Sequence, residues 1–532
     1  MTSWTPSDRP EPEGAVGKTA VKGVPTFRFS RWLFLRALAV VYALAFASLG
    51  VQITGLVGEQ GLLPAIDFLD AVEETYAAES YRLIPTVFWI LPPTDVALTG
   101  VCVAGVALAV VLFLGLVPHL ALLGLWGLYL SLYSVGRDFL GFQWDSLLLE
   151  TGFLALFLAP LRWRTSLIRE AAPSWIGLSL LWFLLFKLMF ASGAVKLASG
   201  DPVWRDFTAL EFHFETQPIP TVLGWYAHQL PDALLSISTF VMFFIELAMP
   251  FALCVLISER FYPGVILRTI RNVAFAGFAI LMLAIAATGN YGIFNLLTLA
   301  LAILMVDDRT WASVVPRPVR AGLGLDRVPP SPSRAALATV AYGAVAVGLV
   351  AVSATFFGLR LFRVEDPGVV QSLRRVVAPF ASLNTYGLFA NMTVERPEIR
   401  IEGSDDGVEW KEYEFRYKPG DASHKPPFVA PHMPRLDWQM WFAALEYRAS
   451  PDQRRSTRWY KSLLEAIFEN RAPVLELFAV NPFPDEPPRF LRSTVASYRF
   501  SSPEERRESG DWWTVEPGGL FHAVIERPDT NG

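Results

Sequence analysis

Long apolar runs recur along this chain, and they constrain its fold more than any other feature. A helix needs roughly 20 apolar residues to cross about 30 Å of hydrocarbon. Nine runs approach that length: 32–51, 95–117, 119–134, 142–161, 175–195, 233–257, 272–288, 290–306 and 335–358. The third, fourth and eighth are short or polar-tipped. Only 18% of the residues are charged, against about 25% in soluble domains. The first thirty residues are too long and polar for a signal-peptide n-region, and no small-residue cleavage site follows the first apolar run, so that run is expected to stay as an anchor. The expected architecture is an α-helical multi-pass membrane bundle of about nine spans (32–358). A polar cytoplasmic segment (1–31) precedes it, and a soluble α+β or β-sandwich-like domain (359–532) follows.

Lys and Arg are unevenly shared between the segments that flank these runs. The odd-side segments 1–31, 118, 162–174, 258–271 and 307–334 hold five, none, three, three and five. The even-side segments 52–94, 135–141, 196–232 and 289 hold one, one, two and none. By the positive-inside rule the N-terminus is cytoplasmic and everything after Gly358 lies on the far side. The far-side connections also carry the more composed sequences, most of all "ASGAVKLASGDPVWRDFTALEFHFETQPIP" from Ala191 to Pro220. Asp201, Trp204, Arg205, Asp206, His213 and Glu215 make this segment the expected surface for a client or ligand.

In the tail, Ile399 and Ile401 alternate before an Asp406-Gly407 turn, and Tyr413, Phe415 and Tyr417 alternate after it, which predicts a hairpin. Helical spacing of Trp438, Met440, Trp441 and Leu445, and of Leu463, Leu464, Ile467 and Phe468, predicts two helices. "RSTVASYRF" predicts a further strand. Segment 419–445 is a Pro-rich loop, held extended by Pro426, Pro427, Pro431 and Pro434, that feeds an aromatic helix; it packs on its own domain or the membrane surface, or serves as a docking surface for another protein.

Ionisable residues inside spans are costly, so Asp145, Glu150, Lys187 and Glu246 stand out. At about 1.5 Å per residue, Glu150 lies ~8 Å and Lys187 ~12 Å below the far surface, depths compatible with a pair. Glu246, at ~20 Å, fits Lys187 less well. Trp144, Trp175, Trp204 and Trp225 occupy positions suited to interfacial anchoring. Asn290 and Asn295 are suited to satisfying backbone groups or neighbouring helices, and Asn391-Met392-Thr393 is a formal glycosylation sequon. His213 and His228 lack a clear third ligand, so no metal site is expected. No cofactor fingerprint, hydrolase motif or CxxC is present, and the two cysteines, Cys102 and Cys254, lie in apolar runs. A net charge of −5 without basic-aromatic patches excludes a nucleic-acid partner.

Several long stretches resemble the lipase maturation factor family: "GEQGLLP", "IPTVFWI", "FQWDSLLLETGFLALFLAP", "LMFASGAVKLASGDPVWRDFTALEFHFETQPIPTVLGWYAHQLP", "NYGIFNLLTLALAIL", "RPEIRIEGSDDGVEWKEYEFRYKPGD" and "KPPFVAPHMPRLDWQMWFAAL". The resemblance implies a multi-pass membrane protein that helps secreted lipases fold and assemble from the lumenal side, with membrane lipid and secreted clients as partners. The Ala/Val/Leu-rich helices suggest a bacterial-type member, whose far side is periplasm or cell exterior; in a eukaryote it is the endoplasmic-reticulum lumen. "ASGAVKLASGDPVW" is also similar to a segment of vitamin K-dependent carboxylases, which implies Lys196 as a catalytic base. The residue-level alternative for Lys196 is a snorkelling lysine at a span end.

Overall fold

In the computed structural model, residues 25–167, 170–259, 261–323, 336–449 and 458–528 are described. Most of the polar N-terminal segment lies outside them. Among the described residues, seven helices are long and apolar enough to cross a membrane: Arg28–Gly50, Asp95–Phe113, Pro118–Phe139, Trp175–Ser199, Asp232–Glu259, Val265–Thr288 and Val340–Leu361. Local chemistry starts several of them. Thr94 accepts a hydrogen bond from Ala97 N, and Pro118 occupies the first turn of its helix, where its missing N–H costs nothing.

Two of the nine expected runs do not form helices of spanning length among the described residues. Runs 142–161 and 290–306 form helices of only 13 and 10 residues, Gln143–Ala155 and Phe294–Ile303. At about 1.5 Å per residue these measure ~20 and ~15 Å, short of the hydrocarbon thickness. Both helices are largely buried among their neighbours, the setting in which non-helical backbone at membrane depth is tolerated. Each still joins the two ends of the bundle. Asp145 meets the tail at one end, and beyond that helix Thr165 N donates to Gly115 O (2.8 Å) at the other. Asn290 likewise meets the tail, while Asp308 accepts from Phe29 N at 2.9 Å.

The basic end is closed by ion pairs: Arg31 with Glu170 (2.6 Å), and Arg271 with Glu259 and with Asp307 (2.9 Å). The opposite end carries the C-terminal part. Its five strands, β1 (Arg396–Ser404), β2 (Lys411–Phe415), β3 (Phe478–Val480), β4 (Phe490–Phe500) and β5 (Trp513–Glu526), form one antiparallel sheet in the order β3-β2-β1-β4-β5. The hairpin turns at Asp406, whose carboxylate accepts from Val408 N and Glu409 N. Helices Arg435–Ala449 and Arg458–Phe468 pack with it. Among the described residues the fold is therefore α+β with a single sheet, and the sandwich alternative is set aside.

The Pro-rich stretch packs beyond its own domain. It seats on the bundle of its own chain: Asn290 donates to Pro427 O (2.9 Å) and accepts from Val429 N (2.7 Å). Ser48 accepts from Met433 N at 2.9 Å, and Gln52 accepts from Arg435 N at 2.9 Å.

Candidate functional site at the bundle–tail junction

The polar, aromatic stretch after the Trp175–Ser199 helix folds back onto the tail. Asp201 caps the short Pro202–Arg205 helix by accepting from Val203 N (2.9 Å), and its other oxygen accepts from Met392 N (2.6 Å). Trp204 is buried and donates its indole N–H to Phe389 O at 3.0 Å. Glu215 accepts from Phe500 N (3.0 Å) and lies 3.5 Å from His228. Of the six residues expected to form an exposed surface, Asp201, Trp204 and Glu215 bind the protein's own tail, and His213 lines a cavity. Arg205 and Asp206 remain exposed. The composition of the stretch reports a polar interface, and for Asp201, Trp204 and Glu215 the partner is in the same chain. Trp144, Trp204 and Trp225 are likewise buried in protein, which corrects their reading as lipid-interface anchors.

Lys196 does not snorkel. It turns inward and donates to both oxygens of Glu246 at 2.8 and 2.7 Å, with its ammonium 5.0 Å from the centre of the Trp204 ring. Two local features make this pair possible. The Asp232–Glu259 helix widens into a π-helical turn at Phe244–Ala248, which re-aims Glu246. Gly193 faces that turn so closely that a Cβ would stand 2.8 Å from the Leu247 side chain and 3.0 Å from Glu246 Cβ.

The pair borders a cavity of about 410 Å³. Across it, Tyr291 donates its hydroxyl hydrogen to Gln217 Oε1 (3.0 Å) and stands 3.2 Å from His213 Nε2. That arrangement makes Nε2 the donor and leaves Nδ1 the bare nitrogen, which has no protein partner. Burial, then the Lys196 charge, push the His213 imidazole down to about 4, so it is neutral at pH 7. No group of three or more His, Cys, Asp or Glu suited to a metal occurs among the described residues.

Two further buried ion pairs frame the junction. Lys187 donates to Glu150 (2.6 Å) and to Ser353 of the last span (2.8 Å), and the other Glu150 oxygen accepts from Tyr386 OH (2.6 Å) and Asn384 N (3.0 Å). The depths read from the sequence match these two partners. Asp145 receives both Arg435 Nη atoms at 2.5 and 2.8 Å, and the Tyr129 hydroxyl at 2.5 Å. Sequence reasoning missed Arg435, Tyr386, Asn384 and Ser353. Arg435 carries a usable signal: it opens its helix, where a cation opposes the helix dipole and calls for a carboxylate.

Beside the pair, between the bundle and the Arg435–Ala449 helix, runs a groove of about 670 Å³ lined by Phe142, Trp144, Tyr291, Phe389, Trp438 and Phe442. Tyr291 and Phe389 also wall the Lys196 cavity.

This two-part construction coincides with two family models. Residues 29–313 match the lipase maturation factor transmembrane domain, and residues 382–521 match the lipase maturation factor C-terminal domain. The chain belongs to the lipase maturation factor family. It is 34% identical to lipase maturation factor 2 of Mus musculus, with 91% of this chain and 81% of that protein covered. Lipase maturation factor 1 of Homo sapiens is 34% identical over 96% of this chain and 92% of its own length. Lipase maturation factor 1 of Bos taurus is 32% identical over 98% and 95%. No solved structure matches the chain. In this member of the lipase maturation factor family, the Asp145–Arg435 and Asp201–Met392 contacts each join the transmembrane domain to the C-terminal domain.

Proposed function

We propose that this integral membrane protein assists the folding or assembly of secreted client proteins, lipases among them, from the extracytoplasmic side. The observation that carries the reading is the aromatic groove, which lies where the two family domains meet and on the end of the bundle opposite the basic loops. A half-formed secreted protein exposes apolar surface, and an aromatic groove with polar rims binds such surface without a nucleophile. The relatives' name supplies lipases as the client class. The sixteen-to-four distribution of Lys and Arg supports a cytoplasmic N-terminus and a C-terminal domain in the secretory lumen, or in the periplasm or exterior of a bacterium.

Function is tested by expressing the chain with a secreted dimeric lipase in cells lacking their own family member. Phe442→Glu charges the exposed rim of the groove and should lower secreted lipase activity at equal membrane abundance. Undiminished secretion would reject the groove. Sidedness is tested with single cysteines at Val408 and Ser313, both exposed, in a background lacking Cys102 and Cys254. Only the cysteine replacing Val408 should react with an impermeant thiol reagent from the extracytoplasmic side.

The position of Lys196 on a cavity favours a second reading, in which it is a catalytic base. Its ammonium donates to both oxygens of Glu246, so it does not present a lone pair to the cavity, and this weighs toward the first reading. Lys196→Arg keeps the charge and the carboxylate contact but supplies no base. Full activity of that variant supports client assistance, and a folded, inactive one supports the enzyme.

A further inference from the structure

The Lys196 cavity has a mouth, and the mouth faces the bilayer. Ile237 and Val241 line the cavity from one helix and Ile280 lines it from another, yet they are 58, 45 and 65% exposed. Residues that line a cavity and are also largely exposed mark its opening. The two helices meet below this point, where a Cβ on Gly277 would stand 2.3 Å from Met249 Sδ and 3.7 Å from Ile245. Above that contact they part, and the gap between them is the mouth.

Its depth follows from helix geometry. Ile237 lies five residues and Val241 nine residues after the start of the helix at Asp232, and Ile280 lies eight residues before the end of its helix at Thr288. At about 1.5 Å per residue they sit roughly 8–14 Å below the tail-bearing end. Half of an approximately 30 Å hydrocarbon layer is ~15 Å, so the mouth opens among the acyl chains of a single leaflet and not onto water. The volume of about 410 Å³ falls in the roughly 300–1,000 Å³ range of small-molecule sites. The inner wall is apolar at Leu188, Met189 and Phe214. The charged groups at its polar end are Lys196 and Glu246, which neutralise one another, and His213 is uncharged. No unpaired charge is offered to an ionic headgroup there.

We propose that this cavity is a lipid-binding site that takes one acyl chain of a membrane lipid, entering sideways between the 232–243 and 265–288 helices. The headgroup stays at the membrane surface, beneath the tail. Occupancy places the chain against Tyr291 and Phe389, which also line the aromatic groove, so the lipid supports the wall that the groove uses.

The test uses the full chain in phosphatidylcholine vesicles containing phosphatidylcholine with a photoreactive diazirine at the end of one acyl chain. After illumination, label is mapped by peptide mass spectrometry. Surrounding bilayer lipid reaches Val273 and Leu283, which are exposed and outside the cavity, but not Met189 or Phe214 on the inner wall. The expected result is label at Met189 or Phe214. Ala284→Trp, at an exposed cavity-lining position, should block the mouth and reduce inner-wall label at least about tenfold, a difference readily resolved in binding terms, with label at Val273 and Leu283 unchanged. Label confined to Val273 and Leu283 would overturn the proposal, as would inner-wall label indifferent to Ala284→Trp.

Discussion

Replacing Asp145 by asparagine tests whether the tail is locked to the bundle by charge. Asp145 and Arg435 are both fully buried, with side-chain exposures of 0%. The guanidinium spends its contacts on the two carboxylate oxygens and on Phe139 O (3.0 Å), with the Phe142 and Trp144 rings 5.5 and 5.8 Å from its centre. Water cannot reach it to compensate. The side-chain amide of Asp145→Asn would present an NH₂ to one Nη and leave the cation unneutralised, at a cost of about 3–5 kcal/mol. That is a third or more of the roughly 5–15 kcal/mol that holds a typical domain folded. Arg435→Met strands the carboxylate instead, with the Tyr129 hydroxyl as its remaining side-chain partner, and should cost a similar amount. The double variant removes both charges and should recover about 1–3 kcal/mol relative to the sum of the singles. The measurement is denaturant-dependent proteolytic release of the tail from full-length protein in lipid nanodiscs. A loss below about 1 kcal/mol for Asp145→Asn, or strict additivity in the double variant, would refute the argument.

The Glu150–Lys187 pair should behave similarly: Glu150→Gln retains an acceptor for Tyr386 but strands Lys187, and unfolding in detergent should show partial rescue by Glu150→Gln with Lys187→Met. Trp204→Ala removes a buried indole and its bond to Phe389 O, so a loss of about 3–5 kcal/mol is expected, read as earlier thermal unfolding. Gly193→Val should wedge the helices apart and weaken the Lys196–Glu246 contact, costing about 1–3 kcal/mol in the same assay. Acid should loosen the junction, because burial and the nearby Arg435 and Arg416 charges push His432 from 6.5 down to about 4. A base whose folded value is depressed contributes stability that is present above pH ~6.5 and lost as the pH falls toward ~4. Tail release should therefore rise across that window, and His432→Gln should flatten the rise.

Much of the fold is legible in one dimension. The seven long helices coincide with apolar runs, the hairpin with alternating Ile399, Ile401 and Tyr413 around Asp406, and the tail helices with the spacing of Trp438 and Leu463. These are local properties: hydropathy, periodicity and turn chemistry act over a few residues, so the local sequence carries them in full. Even the Glu150–Lys187 match follows from depth alone, because two residues on neighbouring spans share a coordinate that counting residues supplies. What needs the tertiary structure is partner choice at long range. Lys196 pairs with Glu246 through a π-helical turn and a glycine contact, Asp145 finds Arg435 from 290 residues away, and Asp201 in the stretch after Lys196 binds the tail at Met392. Likewise, only the packed bundle decides that runs 142–161 and 290–306 form short, protein-enclosed helices. A buried polar group must be satisfied, and its sequence states that need; which group satisfies it depends on where the rest of the chain folds in space.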